Sequence, residues 1–265
     1  MSVLAETAYA KLNLALHVRG KRADGYHDIE TIFAFCENGD ELSGENADEL
    51  SLEVTGPFAA DVPAGDKNLL MKAARALKRA ADAKLRLTKH LPASSGIGGG
   101  SADAAAALRL LGLLWGIDRS VAERVAPLLG ADVPACLLSQ TCRGSGSGSD
   151  LTPVELPEIA GTPVLLVNPR IPLPTADVFA RWDGVDRGPL GDWREGRNDL
   201  QAAATAVVPA IAEMLSWLED RPGADVVRMS GSGATCFALF GNETERDSAA
   251  AAVPPEWWHL ATRLR

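Results

Sequence analysis

The first segment of the chain has the alternating pattern of a β-strand with one buried face. Apolar side chains occupy every second position from residue 12 to residue 18, namely Leu12, Leu14, Leu16 and Val18. Side chains two positions apart point to the same face of a strand, so Lys11 and Asn13 share the opposite face. An Asp24-Gly25 turn follows, and a second strand is predicted through residues 31–35.

Helical patterns follow in the middle of the chain. Residues 68–83 are rich in Ala, Leu, Lys and Arg and predict a helix, whereas residues 85–88 suit a short strand. A glycine-rich segment comes next, and directly after it residues 102–115 are strongly helical. A further helix is predicted over residues 119–129, ending at Gly130.

The second half of the chain mixes strands and helices. The apolar run 164–167 predicts a buried strand, and residues 198–219 predict one helix, or two broken by Pro209. Two strands are predicted within residues 226–240, around a Ser-Gly-Ser-Gly turn, and Cys236 is expected to be buried in the last strand. Hairpin signals at both ends of the chain indicate an α+β fold rather than a wholly parallel sheet.

Two segments have less regular patterns. Residues 169–197 are rich in Pro, Gly and charge and predict mostly loop. Residues 143–149 alternate Gly and Ser, a composition that fits either a flexible domain linker or a tight loop inside a domain. The length of 265 residues suits one large domain or two small ones.

Charge and composition exclude several classes of protein. The formal net charge of −9 argues against a broad surface for nucleic acid. No apolar run reaches the length of a membrane helix, and the absence of a basic residue before Lys11 argues against a signal peptide. None of the four cysteines forms a Cys-x-x-Cys pair, so we expect no metal site and reduced thiols in a cytoplasmic protein.

One segment has the composition of a phosphate-binding loop. It runs Pro92, Ala93, Ser94, Ser95, Gly96, Ile97, Gly98, Gly99, Gly100, Ser101, Ala102. Glycine has no Cβ, so its backbone can adopt positive φ and approach a ligand closely. A helix that begins directly after such a loop adds unpaired N–H donors and the positive end of its dipole. This combination favours an anion site suited to a polyphosphate.

The loop does not fit the familiar nucleotide motifs. A P-loop needs a lysine after its glycines, and none follows here. The dinucleotide pattern Gly-x-Gly-x-x-Gly also fails, because Ser101 stands where the third glycine is required. A flexible loop with Ser101 as the helix N-cap is the competing interpretation. Four glycines in five positions before a long helix make phosphate binding the better hypothesis.

Together with other segments, this loop resembles the GHMP kinases, a superfamily of small-molecule kinases. Within it, the chain resembles the family of 4-diphosphocytidyl-2-C-methyl-D-erythritol kinases. The glycine loop marks only the superfamily, whereas Lys-Arg-Ala-Asp-Gly-Tyr-His at 21–27 points to the one family. The other segments that carry the resemblance are Ala-Lys-Leu-Asn-Leu (10–14), Gly-Ala-Asp-Val-Pro (130–134), Arg-Asn-Asp-Leu (197–200) and Met-Ser-Gly-Ser-Gly-Ala-Thr-Cys-Phe (229–237).

The resemblance implies a fold and a reaction. The implied fold has an N-terminal ribosomal-protein-S5-like domain, placed at residues 1–150, and a C-terminal ferredoxin-like domain, placed at residues 151–265. The implied enzyme uses ATP and Mg²⁺ to phosphorylate the 2-hydroxyl of 4-diphosphocytidyl-2-C-methyl-D-erythritol, in non-mevalonate isoprenoid biosynthesis. Its partner is a small molecule with a cytidine diphosphate group, and we expect a monomer or homodimer.

The same resemblance assigns roles to individual residues. It implies that Lys11 and Asp132 are catalytic, the lysine stabilising the transferred phosphoryl group and the aspartate taking or orienting the hydroxyl proton. From pattern alone, Lys11 would be a surface lysine and Asp132 a turn or cap aspartate. The positions that the resemblance places at substrate are Asn13, Tyr26 and His27, with Tyr26 stacking on cytosine and His27 hydrogen-bonding it. Those that it adds to the glycine loop for ATP are Asn68 and Lys89.

Three alternatives stay open at this point. The chain could be another GHMP phosphotransferase, of mevalonate or homoserine type, or the ATP-dependent decarboxylase of the same superfamily. It could also be a catalytically silent nucleotide-binding protein. The Tyr26-His27 pair argues against the first alternative, because those substrates carry no cytosine. Retention of both Lys11 and Asp132 argues against silence.

Overall fold

The structure is a computed structural model that describes residues 3–77 and 82–265. Its contacts divide the chain into two compact units. Unit 1 comprises the described residues of Met1–Ala10, Asn38–Ala93 and Gly98–Ser139, and unit 2 those of Lys11–Glu37, Ser94–Ile97 and Gln140–Arg265. No helix of the described residues is long and apolar enough to cross a membrane.

Strands and helices come in short runs along the chain rather than in strict alternation, which agrees with the α+β prediction. The strands are β1 (Leu4–Lys21), β2 (His27–Ala47), β3 (Ser51–Thr55), β4 (Asp82–Thr88), β5 (Cys142–Ser145), β6 (Asp150–Pro153), β7 (Pro163–Asn168), β8 (Ala224–Met229), β9 (Cys236–Phe240) and β10 (Trp258–Arg263). The helices are α1 (Leu69–Ala76), α2 (Gly99–Trp115), α3 (Arg119–Leu129), α4 (Val133–Leu138), α5 (Thr175–Phe179), α6 (Gln201–Val207), α7 (Ala210–Glu219) and α8 (Glu243–Ala251).

Unit 1 places α2 at the centre of its helices. The end of β2 pairs antiparallel with β4, which pairs parallel with β3. Most side chains of helix α2 are apolar, and its run 104–108 is completely buried. An all-round apolar helix is stable only when neighbours surround it, and α1, α3 and α4 all pack against α2. Left-handed glycines stand at both of its ends, Gly98 before it and Gly116 after it.

Unit 2 contains an antiparallel sheet in the order β10-β7-β9-β8. Every residue of β7 is buried, as its continuous apolar run predicted, because β10 and β9 flank this strand. An apolar cluster of this unit includes β7 and β9 residues together with Leu200, Ile211 and Met214 from the helical region. Pro209 separates α6 from α7, which confirms the predicted break.

The glycine–serine segment at 143–149 forms a tight loop inside unit 2. Strands β5 and β6 pair as an antiparallel hairpin, with Arg143 opposite Thr152 and Ser145 opposite Asp150. Gly146 and Gly148 adopt positive φ in the turn, which explains why glycines recur there. The linker interpretation of this segment is therefore wrong.

Other predictions of elements need correction. The helix predicted over 68–83 ends at Ala76, and Asp82 and Ala83 belong to β4; residues 78–81 lie outside the described part. Cys236 is buried as expected, but in β9, with β10 still to follow. The two contact units are interleaved along the chain, so the division at residue 150, which follows the family's domains, stays a prediction.

Candidate active site

Lys11 is hydrogen-bonded to the segment 94–97 of the glycine loop, the part that belongs to unit 2. Its backbone N–H donates to the carbonyl of Ile97, 3.0 Å away. Its side chain is only 2% exposed, and its Nζ donates to Oδ1 of Asn13 at 2.8 Å. The Phe33 ring lies beneath the ammonium, with Nζ 5.5 Å from the ring centroid. The surface-lysine interpretation is wrong, because this cation is buried and oriented.

Both polar atoms of the Asn13 side chain are hydrogen-bonded within the site. Its Oδ1 accepts from Lys11, and its Nδ2 donates to Oγ1 of Thr31 at 2.8 Å. The Thr31 hydroxyl donates in turn to the carbonyl of Ala15 at 2.6 Å. This chain of hydrogen bonds fixes which way the Asn13 amide faces, so its oxygen stays turned toward the lysine.

The Ser-Gly-Ser-Gly turn after β8 packs directly on the glycine loop. Ser230 Oγ donates to the carbonyl of Gly96 at 2.9 Å and accepts from the backbone N–H of Asn13 at 3.1 Å. The Thr235 N–H donates to the carbonyl of Ser95 at 3.0 Å. A Cβ on Gly96 would collide with the backbone of Ser230 and Gly233. Gly96 is thus required for contact with this turn.

Left-handed backbone shapes the glycine loop. Gly96 and Gly98 have φ of +79° and +72°, and Ser94 has φ +48°. Glycine adopts this region freely, whereas a serine there is strained by about 1–2 kcal/mol. Ile97 is completely buried and anchors the loop between its two left-handed glycines. The competing interpretation made Ser101 the N-cap of α2, but Gly98 holds that position.

The two added ATP candidates, Asn68 and Lys89, have buried side chains with other partners. Asn68 caps α1: its Oδ1 accepts from Leu70 N–H at 2.8 Å, and its Nδ2 donates to the carbonyl of Pro63 at 3.1 Å. Lys89 Nζ donates to Asp40 and, at 2.8 Å, to Asp103 Oδ2. The Asn68 side chain therefore supports the backbone of unit 1, the Lys89 side chain pairs with two carboxylates, and the contact of both with ATP stays a prediction.

Asp132 is the N-cap residue directly before α4 in unit 1. Its carbonyl accepts from the Cys136 N–H at 3.0 Å, and its carboxylate makes no cap hydrogen bond to that helix. The side chain is half-buried. The pattern alone therefore placed Asp132 correctly in a turn before a helix, but its carboxylate does not cap that helix, and its catalytic role stays a prediction.

Tyr26 and His27 follow the predicted turn, where Tyr26 N–H donates to Asp24 Oδ1 at 3.1 Å. Tyr26 is 61% exposed, so its ring offers a free face. His27 lies against two aromatic rings, with its centroid 4.8 Å from that of Phe179 and 5.5 Å from that of Trp182. Burial, and then the charge of Lys21, lower the pKa of His27. A neutral imidazole carries one donor and one acceptor.

Sequence reasoning missed several of these supporting residues. Phe179 and Trp182 come from the region 169–197, which was predicted as mostly loop; Phe179 is the last residue of α5. Ser230 lies in a recognised turn, but its hydroxyl contacts depend on residues more than 100 positions earlier. Asn198 was likewise overlooked as a support, although its Nδ2 donates to the carbonyls of Met229 and Gly231 at 2.7 and 2.8 Å. Nothing local in the sequence marks such partners.

Comparison with known families and structures identifies the fold of this chain. The family model for the GHMP kinases N terminal domain matches residues 68–140, and that for the GHMP kinases C terminal region matches residues 184–260. A crystal structure of a 4-(cytidine 5′-diphospho)-2C-methyl-D-erythritol kinase is 30% identical and superposes with a TM-score of 0.84, covering 98% of this chain and 99% of that one. These matches confirm the predicted two-domain GHMP kinase fold.

Curated relatives align along nearly the whole chain. A 4-diphosphocytidyl-2-C-methyl-D-erythritol kinase of Rhizorhabdus wittichii is 53% identical, over 98% of this chain and 94% of the relative. One of the same name from Novosphingobium aromaticivorans is 52% identical, over 99% and 93%. The Methanococcus jannaschii mevalonate kinase has a TM-score of 0.70 at 9% identity, covering 100% of this chain and 98% of that one, which indicates a shared fold alone.

Proposed function

Because this chain belongs to the family of 4-diphosphocytidyl-2-C-methyl-D-erythritol kinases within the GHMP kinases, we propose that it transfers the γ-phosphoryl group of ATP to the 2-hydroxyl of 4-diphosphocytidyl-2-C-methyl-D-erythritol. The products are ADP and the 2-phosphate of that alcohol. The reaction would serve isoprenoid precursor biosynthesis by the non-mevalonate route.

The observation that carries this proposal is the position of Lys11. Its backbone is hydrogen-bonded to Ile97 of the glycine loop, and its buried ammonium is oriented by Asn13. A fixed cation beside a polyphosphate loop can stabilise the charge of the transferred phosphoryl group without reorganising during the reaction. The loop would hold the phosphates through backbone N–H groups and through the N-terminus of α2.

The acceptor hydroxyl must line up with the γ-phosphorus and lose its proton. We assign this role to Asp132. The oxygen of the 2-hydroxyl forms the new bond to phosphorus as the bond to ADP breaks, and the proton passes to the carboxylate. Because phosphoryl transfer is loose, orienting the hydroxyl contributes as much as removing its proton.

Magnesium enters this scheme with the nucleotide. Among the described residues, no group of three or more His, Cys, Asp or Glu side chains is placed to hold a metal ion. Mg²⁺ commonly reaches kinase sites on the substrate phosphates with few protein ligands. Bound there, it would neutralise charge on the β- and γ-phosphates.

Recognition of the cytidine end is assigned to Tyr26 and His27. The exposed Tyr26 ring can stack on a base, and stacking by itself tolerates any base. Selectivity for cytosine then depends on hydrogen bonds, and His27 is held in one orientation by Phe179 and Trp182. Neutral His27 can accept from the amino group of cytosine or donate to its carbonyl, according to tautomer.

The test is ADP release from Mg²⁺-ATP with a panel of acceptors. The panel contains 4-diphosphocytidyl-2-C-methyl-D-erythritol, unmodified methylerythritol, mevalonate and homoserine. We expect turnover with the cytidine compound alone, and the product should be the 2-phosphate by phosphorus NMR. Turnover with mevalonate or homoserine would instead indicate another type of GHMP phosphotransferase. Equal turnover with unmodified methylerythritol would refute the cytidine pocket.

A further inference from the structure

Three charged side chains are buried together behind the glycine loop in unit 1. Lys89 Nζ donates to Asp40 Oδ2 and, at 2.8 Å, to Asp103 Oδ2. Lys89, Asp40 and Asp103 are 2%, 0% and 4% exposed. A buried ion cluster adds little stability over a well-packed apolar one, because desolvation offsets the attraction. Its presence here calls for another explanation.

The cluster holds the entrance of the glycine loop. The second oxygen of Asp40 accepts from the backbone N–H groups of His90 and Leu91, at 2.6 and 2.8 Å. These two residues lie between Lys89 and Pro92, where the loop begins. Lys89 itself is fixed by its backbone, whose N–H donates to the carbonyl of Thr55 at 2.8 Å.

The same cluster holds the exit of the loop. Asp103 lies in the second turn of α2, whose first residue is Gly99. A Cβ built on Gly99 would lie 3.1 Å from Lys89 Nζ, so the ammonium lies directly under the start of this helix. One cation thus links the strand before the loop to the helix after it.

The cluster contains two acidic groups and only one basic group. Two carboxylates face one ammonium, and Oδ1 of Asp103 has no hydrogen-bond partner among the described residues. Burial raises the pKa of Asp103 to about 7; Lys89 opposes this shift and Asp40 adds to it. Asp103 is therefore the member of the cluster that can be protonated and lose its charge, whereas the opposite charges of Lys89 and Asp40 offset each other.

We propose that Asp103, acting through Lys89 and Asp40, is a positioning residue that fixes the two ends of the glycine loop for ATP. This inference rests on the proposed function, since it assumes that the loop binds ATP. In this proposal Lys89 supports ATP binding indirectly, because its ammonium is hydrogen-bonded to two carboxylates of the protein. The effect of breaking the cluster should fall on nucleotide affinity, and the chemical step should be retained once ATP is saturating.

The experiment compares variants of the full chain. Asp103→Ala cuts the link to α2 and leaves Lys89 paired one-to-one with Asp40, so the fold is expected to survive. Asp103→Asn restores an acceptor for Lys89 without the charge. Glu6→Gln is the matched control: it breaks the ion pair between Glu6 and Arg109, which also lies in α2 but far along the helix from the loop.

We expect Asp103→Ala to raise the Kd for ATP about tenfold, measured by calorimetry, while kcat at saturating ATP stays within about threefold. Asp103→Asn should recover most of the affinity, and Glu6→Gln should leave it near the wild-type value. Wild-type affinity in Asp103→Ala, or an equal loss in Glu6→Gln, would overturn the positioning role. Wild-type protein that binds no ATP at all would overturn the proposed function, and this inference with it.

Discussion

The hydroxyl of Ser230 donates to the carbonyl of Gly96 at 2.9 Å, across 134 positions of sequence. The same oxygen accepts from the Asn13 N–H. A single side chain therefore connects the turn after β8, the glycine loop and the strand that carries Lys11. The conformation of the loop depends on this turn as much as on its own glycines.

Ser230→Ala should show that dependence. The variant leaves the buried N–H of Asn13 and the carbonyl of Gly96 without this partner, a loss of about 1–3 kcal/mol in the free energy of unfolding. Affinity for ATP should fall as well, because the loop loses a fixed contact. Urea unfolding and calorimetry measure the two effects. Ser216→Ala, at an exposed position of α7, is the control, and equal behaviour of the two variants would contradict the role of Ser230.

Gly98→Val should weaken ATP binding strongly. Gly98 has φ +72° before α2, where a β-branched residue is strained, so the substitution should distort the loop backbone that we expect to hold the phosphates. The matched control is Gly116→Val at the other end of α2, with φ +62° and open space around its Cβ position. Both variants should lose stability, but only Gly98→Val should lose nucleotide affinity. Unchanged affinity in folded Gly98→Val would place the phosphate site elsewhere.

Lys11 and Asp132 should act together in catalysis. Asp132→Asn keeps the size of the side chain but cannot take a proton, so kcat should fall by roughly 10²-fold or more. Lys11→Met should fall similarly, with ATP and acceptor binding retained in both. The double variant should be little worse than either single one, because groups that act together are non-additive. A double-mutant cycle on kcat checks this, and fully additive losses would separate the two residues.

Replacement of Tyr26 or His27 should affect acceptor binding more than chemistry. Tyr26→Ala removes a stacking surface, and His27→Ala removes the hydrogen-bonding ring between Phe179 and Trp182. The KM for the acceptor should rise about tenfold or more, while kcat falls less, which is the mark of uniform binding loss. Steady-state kinetics at saturating ATP separates the two parameters. A fall in kcat without a rise in KM would assign these residues to the reacting end.

The raised pKa of Asp103 predicts how stability depends on pH. The ordinary pKa of an aspartate is near 4, and that of Asp103 is raised to about 7. At pH values between these two, the folded protein binds more protons at this site than the unfolded chain does. The contribution of Asp103 to the free energy of unfolding should therefore decline as pH rises from about 4 to about 7. Lys89 stays charged throughout, because the two carboxylates outweigh the effect of its burial and raise its pKa.

Urea unfolding at pH 5 and pH 8 measures this decline. Asp103→Asn should flatten it relative to the wild-type protein. Asp118→Asn is the control, because the pKa of that exposed helix cap is lowered by its hydrogen bonds to Ser120, and it stays charged across this range. The same pH dependence in wild-type protein and Asp103→Asn would show that Asp103 does not titrate there.

Local patterns in the sequence determined the elements near the site. The alternation through β1 placed Lys11 and Asn13 on one face, and the structure joins them by a hydrogen bond. The glycine run before an alanine-rich segment predicted a loop followed by a helix from residue 102, and α2 is that helix but begins earlier, at Gly99. Such features are readable because strand alternation, helix propensity and left-handed glycine act over a few residues.

The tertiary structure alone decided the partners of those residues. Lys11 is buried because β1 lies on Phe33 and Ile97, which its own neighbours do not reveal. No local pattern predicted the burial of Asn68 and Lys89, of which one caps α1 and the other pairs with Asp40 and Asp103. Burial of a charge is set by what the fold brings around it, and a buried charge requires partners that only long-range packing can supply.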